Sequence, residues 1–231
     1  AESLDLGFRD DFGYKIVGGK QVEIEEFPYQ VAIEGGSVLF ICGGSIISPN
    51  WVLTAAHCVY KENISWLRVR AGSSKFRKEG RLHKVKTIIW HYLYEPSFND
   101  YDVGLILVKQ KFQNLPNIRP IPLSTVPAVP GDSVTAAGWG YLEEQRRHRP
   151  SKLMAVNLTV VDWSLCRQQY EFLTPRQMCV MGIKKDTCYG DSGGAIVSNG
   201  KQVGIVSTGF RCAGHGLPGI YVNITVVGPW I

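Results

Sequence analysis

Apolar and polar residues follow one another in short runs with the period of a strand, not of a helix. Tyr29-Gln30-Val31-Ala32-Ile33 alternates, whereas Val38-Leu39-Phe40-Ile41-Cys42 is an unbroken apolar run. Gly43-Gly44-Ser45-Ile46-Ile47-Ser48 and Trp51-Val52-Leu53 continue the pattern. Alternation marks a strand with one buried face, and a short apolar run between turn residues marks a strand buried on both. Val103-Gly104-Leu105-Ile106-Leu107-Val108 is of the second kind. A second β-rich stretch contains Ser133-Val134-Thr135-Ala136-Ala137, Gly194-Ala195-Ile196-Val197 and Gln202-Val203-Gly204-Ile205-Val206. Between the two stretches, Pro116, Pro120, Pro122, Pro127 and Pro130 make residues 114–131 a linker. Residues 164–172 hold the one helix expected in the second half, capped by Ser164 or Asp162. Thr54-Ala55-Ala56-His57-Cys58 is short and helix-compatible. The prediction is an all-β fold of paired barrels.

The first 15 residues break this pattern. They are acidic and aperiodic, with Arg9-Asp10-Asp11 and Gly13, and read as a solvated leader. Ile16-Val17-Gly18-Gly19 follows. It reads as a strand ending in a turn, or as a new hydrophobic amino terminus once the chain is cut after Lys15.

Composition narrows the class. A chain of 231 residues with 45% hydrophobic and 19% charged residues is globular, long enough for one large all-β domain or two small ones. The net charge of +5 comes with no nucleic-acid-binding motif, so no nucleic-acid partner is expected. No apolar run reaches the roughly 20 residues of a membrane span. No charged-then-apolar signal segment opens the chain, so processing before Ala1 is expected. Six cysteines, an even number, fit an oxidising compartment, and the lack of C-x-x-C pairs argues against a structural metal. Three sequons begin at Asn63, Asn157 and Asn223. Secretion accounts for all of this most economically. Two basic segments stand out: Arg70, Lys75, Arg77, Lys78, Arg81, Lys84 and Lys86 against the single acid Glu79, and Arg146-Arg147-His148-Arg149. Each reads as a solvated face, or the stretches 75–86 and 146–149 serve as a docking patch for an acidic protein or glycan.

The chemistry concentrates in Asp186-Thr187-Cys188-Tyr189-Gly190-Asp191-Ser192-Gly193-Gly194. Glycines around Ser192 allow a tight turn whose backbone N–H groups converge on one concavity, suited to a developing negative charge. The same residues also make an ordinary polar turn. A serine hydroxyl needs an adjacent base, and histidine exchanges protons near neutrality. His57 beside Cys58 is one candidate. Asp102 stands at the mouth of an apolar strand, where a carboxylate is costly to bury without a partner.

Together these residues resemble the trypsin/chymotrypsin family of serine proteases. Ile16-Val17-Gly18-Gly19, Thr54-Ala55-Ala56-His57-Cys58, Asp102 before an apolar strand, and Gly190-Asp191-Ser192-Gly193-Gly194 occur in that family's order and spacing. The resemblance runs from Ile16 to the end of the chain. It implies two antiparallel six-stranded β-barrels with the active site between them, a short helix in the second half and a short C-terminal helix. The barrels would span about residues 16–113 and 132–231 around the 114–131 linker.

By the same resemblance, Ser192 attacks the scissile carbonyl, His57 takes and returns the proton, and Asp102 orients the imidazole. The backbone N–H groups of Gly190 and Ser192 form the oxyanion hole. Asp186 lies at the base of a pocket with Ser207, Gly209 and Gly219 in its walls and Tyr189 at its rim, which implies Lys or Arg before the cleaved bond. Residues 1–15 would be a propeptide. An activating protease would cut Lys15-Ile16, and the freed amino group would pair with Asp191; self-activation is a further hypothesis. The implied disulfides are Cys42–Cys58, Cys166–Cys179 and Cys188–Cys212, a pairing that the sequence alone leaves open. A monomer acting on polypeptides without cofactor or metal is expected.

Several departures from the family pattern matter. Thr208 stands where an aromatic is usual, Tyr189 where many members carry Gln, and Ala195 where Pro is usual. Gly228-Pro229 interrupts the closing helix. The 70–86 segment lacks the paired acids of a calcium loop. Thr208 and Tyr189 keep a second function class open, a catalytically weak or inactive homologue that binds other proteins.

Overall fold

The computed structural model describes residues 19–35, 41–142, 149–182, 186–209 and 216–231. Lys15, Ile16, Arg146, Arg147, His148 and Cys212, and with them the expected activation bond and half of one expected disulfide, lie outside the described residues.

A two-residue strand, β1 (Lys20–Gln21), precedes the first barrel. That barrel uses β2 (Gln30–Glu34), β3 (Ile41–Ile46), β4 (Trp51–Thr54), β5 (Arg68–Ala71), β6 (Arg81–Trp90) and β7 (Gly104–Val108). All neighbours are antiparallel, and the sheet closes in the order β2-β3-β4-β7-β6-β5. The second barrel uses β8 (Ser133–Gly138), β9 (Met154–Val161), β10 (Gln177–Met181), β11 (Ala195–Ser198), β12 (Lys201–Thr208) and β13 (Gly219–Asn223). It runs β9-β10-β13-β12-β11-β8 and closes through β8–β9, while β1 pairs with β9 from outside. The expected pair of six-stranded antiparallel barrels is the observed fold.

Period two explains the cores. Along β9, Leu158 and Val160 are buried while Asn157 and Thr159 are exposed. Val31, Ile33, Leu53, Val69 and Ile106 fill the first barrel. Val134, Val156, Leu158, Val180, Ile196 and Tyr221 fill the second. The seam is also tied. Ile205, Val222, Ile224 and Val227 pack into the first barrel's core cluster, and Ser45 Oγ donates to Gln202 Oε1 at 2.7 Å.

The helix in the second half is shorter than the sequence pattern predicts. It spans α1 (Trp163–Arg167), and Asp162 is the cap, accepting from Ser164 N and Leu165 N. Tyr170 and Leu173 then turn inward and become buried, and Tyr170 Oη donates to Pro218 O at 2.7 Å. The expected interruption at Gly228-Pro229 is present. The closing helix is α2 (Ile224–Val227), followed by a 3-10 turn at Gly228–Trp230.

The basic 70–86 segment is the β5–β6 hairpin, and part of its charge is neutralised within the fold. Arg70 grips Glu34 with two N–H groups at 2.6 and 3.3 Å, and Lys75 pairs with Glu79. Among the sequons, Asn63 and Asn157 are exposed, whereas Asn223 is half-buried and caps α2. No helix among the described residues is long and apolar enough to cross a membrane.

Candidate active site

Ser192 sits in a loop before β11 that is tied to both barrels and closed by a bond of its own. Gly43 N donates to Ser192 O at 2.7 Å, Gly193 N to Val206 O at 2.7 Å, and Gly194 N to Asp191 O at 2.9 Å. Gly193 has φ +81°, and a Cβ there would stand 2.2 Å from Thr54 Oγ1 and 2.5 Å from Gly43 O. Only glycine lets the Ser192 loop press this close against the first barrel. Glycine at position 193 is therefore a condition of joining the two barrels at the serine.

His57 belongs to a 3-10 turn at Ala56–Cys58, after β4, and the Cys42–Cys58 disulfide fastens that turn to β3. Its orientation is fixed by Asp102, which is fully buried. His57 N donates to Asp102 Oδ1 at 2.8 Å, and His57 Nδ1 lies 2.8 Å from Asp102 Oδ2. Ser207 Oγ also donates to Oδ2, at 2.6 Å. The carboxylate thus has donors on both oxygens, which satisfies an otherwise costly buried charge. An imidazole that gives its Nδ1 proton to Asp102 presents Nε2 as a base. Burial pulls the His57 pKa down, but the charge and hydrogen bond of Asp102 outweigh it, and the net direction is up.

A cavity of about 440 Å³ opens beside this pair. His57 and Ser192 line it together with Asp186, Thr187, Tyr189, Ser207, Thr208, Gly209 and Gly219. Asp186 is buried and accepts from Thr187 N at 2.8 Å. A Cβ on Gly219 would approach Tyr221 Oη to 3.2 Å and Asp186 Oδ1 to 3.4 Å, so a side chain there would crowd the acid. Tyr189 is 55% exposed, and the cavity persists beside it.

Asp191, next to Ser192, points the other way. It is buried between Gly140 N (2.8 Å to Oδ1) and Cys188 N (2.9 Å to Oδ2). A Cβ at Gly138 or Gly140 would stand 2.1 or 2.3 Å from its oxygens. Burial raises its pKa to about 6, against the opposing pull of the two N–H donors and Arg149. Two of the expected disulfides, Cys42–Cys58 and Cys166–Cys179, are formed. Cys188 is disulfide-bonded as well, and its expected partner Cys212 lies outside the described residues.

The sequence did not point to Tyr94, Pro96 and Asn99, which line the cavity from the β6–β7 connection. That connection is held by the second barrel. Arg176 bonds Asp100 with two N–H groups, Thr174 Oγ1 donates to Asp100 Oδ1 at 2.8 Å, and Gln177 Nε2 donates to the carbonyls of Phe98 and Asn99. Asn99 and Tyr101 have positive φ, a strained path that lies directly before Asp102. Truncating Arg176 to Ala strands Asp100 and is expected to cost about 1–3 kcal/mol of stability, read as a lowered denaturant midpoint at unchanged slope. An unchanged midpoint would mean that the clamp contributes nothing.

A hydroxyl, an imidazole and a buried carboxylate around a cleft between two β-barrels define the class of serine hydrolases. Residues 16–231 match the trypsin family model, and the chain belongs to the trypsin family of serine proteases. It is 38% identical over 221 residues to hypodermin-B of Hypoderma lineatum, covering 94% of this chain and 86% of that protein. Against trypsin theta of Drosophila melanogaster the identity is 35% over 224 residues, covering 94% and 85%. The crystal structure of the scabies mite inactivated protease paralogue S-D1 superposes with a TM-score of 0.87 at 27% identity, covering 93% of this chain and 94% of that one.

Proposed function

We propose that the chain is the zymogen of a secreted trypsin-like endopeptidase that cleaves after Lys or Arg. One observation carries this reading: the His57–Asp102 pair is assembled beside Ser192 at a cavity whose walls include the buried acid Asp186. Ser192 is the nucleophile and His57 its general base, while Asp102 fixes the tautomer. Gly190 and Ser192 donate their N–H groups to the oxyanion of the tetrahedral intermediate. Asp186 attracts the cationic side chain before the scissile bond.

In this reading residues 1–15 are the propeptide and residues 16–231 the peptidase unit. An activating protease cuts Lys15-Ile16, and the freed amino group of Ile16 meets the buried carboxylate of Asp191. Tyr189 stands at the rim without filling the cavity, which favours an active enzyme over a silent homologue.

The test is to cut after Lys15 and assay arginine, lysine and phenylalanine amides beside a Ser192→Ala control. Turnover of the two basic amides should rise on cutting and vanish in the control. Equal rates in both proteins would sink the protease reading. Preference for the phenylalanine amide would refute the role of Asp186.

A further inference from the structure

Arg149 is built into the site on the side that the pocket does not use. Its Nη1 donates to Trp139 O at 3.1 Å, and its guanidinium lies 4.4 Å over the Tyr141 ring and 5.6 Å from that of Phe76. Stacking on aromatic faces holds a guanidinium flat and restricts its rotamers. Its position relative to Gly190 is close. A Cβ on that glycine, whose φ is +99°, would stand 2.2 Å from Nη1. The cation therefore lies against Cα of Gly190, the residue expected to supply one oxyanion-hole N–H.

Four of its five N–H donors have no acceptor among the hydrogen bonds of the described residues, and no carboxylate there lies within ion-pair distance of it. Asp191, the nearby acid, is already engaged by Gly140 N and Cys188 N. A half-buried, oriented and unpaired guanidinium matches a carboxylate in shape and charge.

The path of a substrate gives this cation a target. The residue before the cleaved bond enters the cavity over Asp186, Gly209 and Gly219, and Arg149 takes no part in lining that cavity. If the residue before the bond fills that cavity, the chain after the bond must leave Ser192 away from it, toward the side of Gly190 on which Arg149 lies. Extended chain advances about 3.3 Å per residue, so the first two residues after the bond lie within reach of a guanidinium set against Gly190.

We propose that Arg149 is a specificity-determining residue that selects polypeptides carrying Asp or Glu at the first or second position after the cleaved bond. The proposal rests on the protease reading above. It also bears on activation. Lys15 is followed by Ile16-Val17-Gly18, which holds no acid, so the protein is a poor activator of its own chain.

The test uses protein cut after Lys15 and quenched peptides that differ only after the scissile Arg bond, as Glu-Glu, Gln-Gln or Lys-Lys. An arginine amide with no residue after the bond is run alongside. A charge-assisted pair predicts about a tenfold or greater preference in kcat/KM for Glu-Glu over Lys-Lys in the native protein. R149Q should bring this below about threefold, R149K should retain part of it, and the arginine amide should be cleaved at similar rates by all three proteins.

Absence of the preference in the native protein, or its survival in R149Q, overturns the proposal. Equal losses on the amide and the peptides in R149Q also overturn it, because Arg149 would then act by ordering Gly190. Failure of the native protein to cleave even the arginine amide would refute catalysis instead. Fluorescence affinities of the same peptides for native and R149Q protein then decide the matter: tighter binding of Glu-Glu that is lost in R149Q supports the proposal, and equal binding overturns it.

Discussion

In protein cut after Lys15, replacing Asp102 by asparagine should leave the fold intact and lower kcat on an arginine amide by about 10⁴-fold, the size of loss this substitution brings in a Ser-His-Asp triad. The hydrogen bonds dictate the direction. His57 N is a backbone donor and can only face an acceptor, so the amide oxygen of the introduced side chain must take the place of Oδ1. The amide NH2 is then forced to the Oδ2 position, against His57 Nδ1 and Ser207 Oγ. Ser207 can rotate its hydroxyl and accept. The imidazole can adapt only by moving its proton to Nε2, and it then has no lone pair for the proton of Ser192. The cavity beside Asp186 is untouched, so KM should change little. Thermal unfolding of the variant near that of the parent would show that the loss is chemical.

The pH profile gives a second readout of the same pair. In the proposed mechanism His57 is the base and must be unprotonated to act, and Asp102 raises its pKa. In the parent, kcat/KM should therefore fall as pH drops through a value above the ordinary histidine range. The residual activity of the asparagine variant should show that limb at lower pH. A limb at the same pH in both proteins would mean that Asp102 does not set the protonation of His57.

Much of this was legible in the residue pattern because strands bury alternate residues and turns use glycine and proline. The runs at 29–33, 103–108 and 202–206 fall on β2, β7 and β12. GDSGG could be read as a tight turn because glycine is needed at Gly193, where a side chain would strike Thr54 and the backbone of Gly43. What stayed hidden depends on contacts between distant segments. Gln177-Met178-Cys179-Val180-Met181 is a strand because it pairs with β9 and β13, and nothing in its own pattern says so. Helix α1 stops at Arg167 because Tyr170 and Leu173 are needed in the core. Arg149 read as one more charge in a basic loop. Its stacking on Tyr141 and Phe76, and its closeness to Gly190, exist only after β8 and the Ser192 loop have come together. The clamp between Arg176 and Asp100 joins residues 76 positions apart and left no local signal.

The second large effect expected is a pH-dependent stabilisation of the protein on cutting at Lys15. In the uncut chain Asp191 is buried with two N–H donors, and its pKa is raised to about 6. A folded-state pKa above the unfolded value means that the unfolded chain releases its proton first. Stability should therefore fall as pH rises from about 4 to about 6 and stay lowered above that. A rise to about 6 corresponds to about 3 kcal/mol at neutral pH. Cutting creates an α-amino group at Ile16. If that cation reaches Asp191, it favours the ionised carboxylate and drives its pKa below the unfolded value, which removes the penalty. The amino group must itself stay protonated, and its pKa is raised by the pairing, so the gain persists above the ordinary value of about 8 and fades at higher pH. The comparison is best made in Ser192→Ala protein, which cannot digest itself, by denaturant unfolding of the cut and uncut forms. Cutting should raise the midpoint strongly at pH 7 and little at pH 4. An equal effect at both pH values would show that the new amino terminus does not engage Asp191, and the activation account would fall with it.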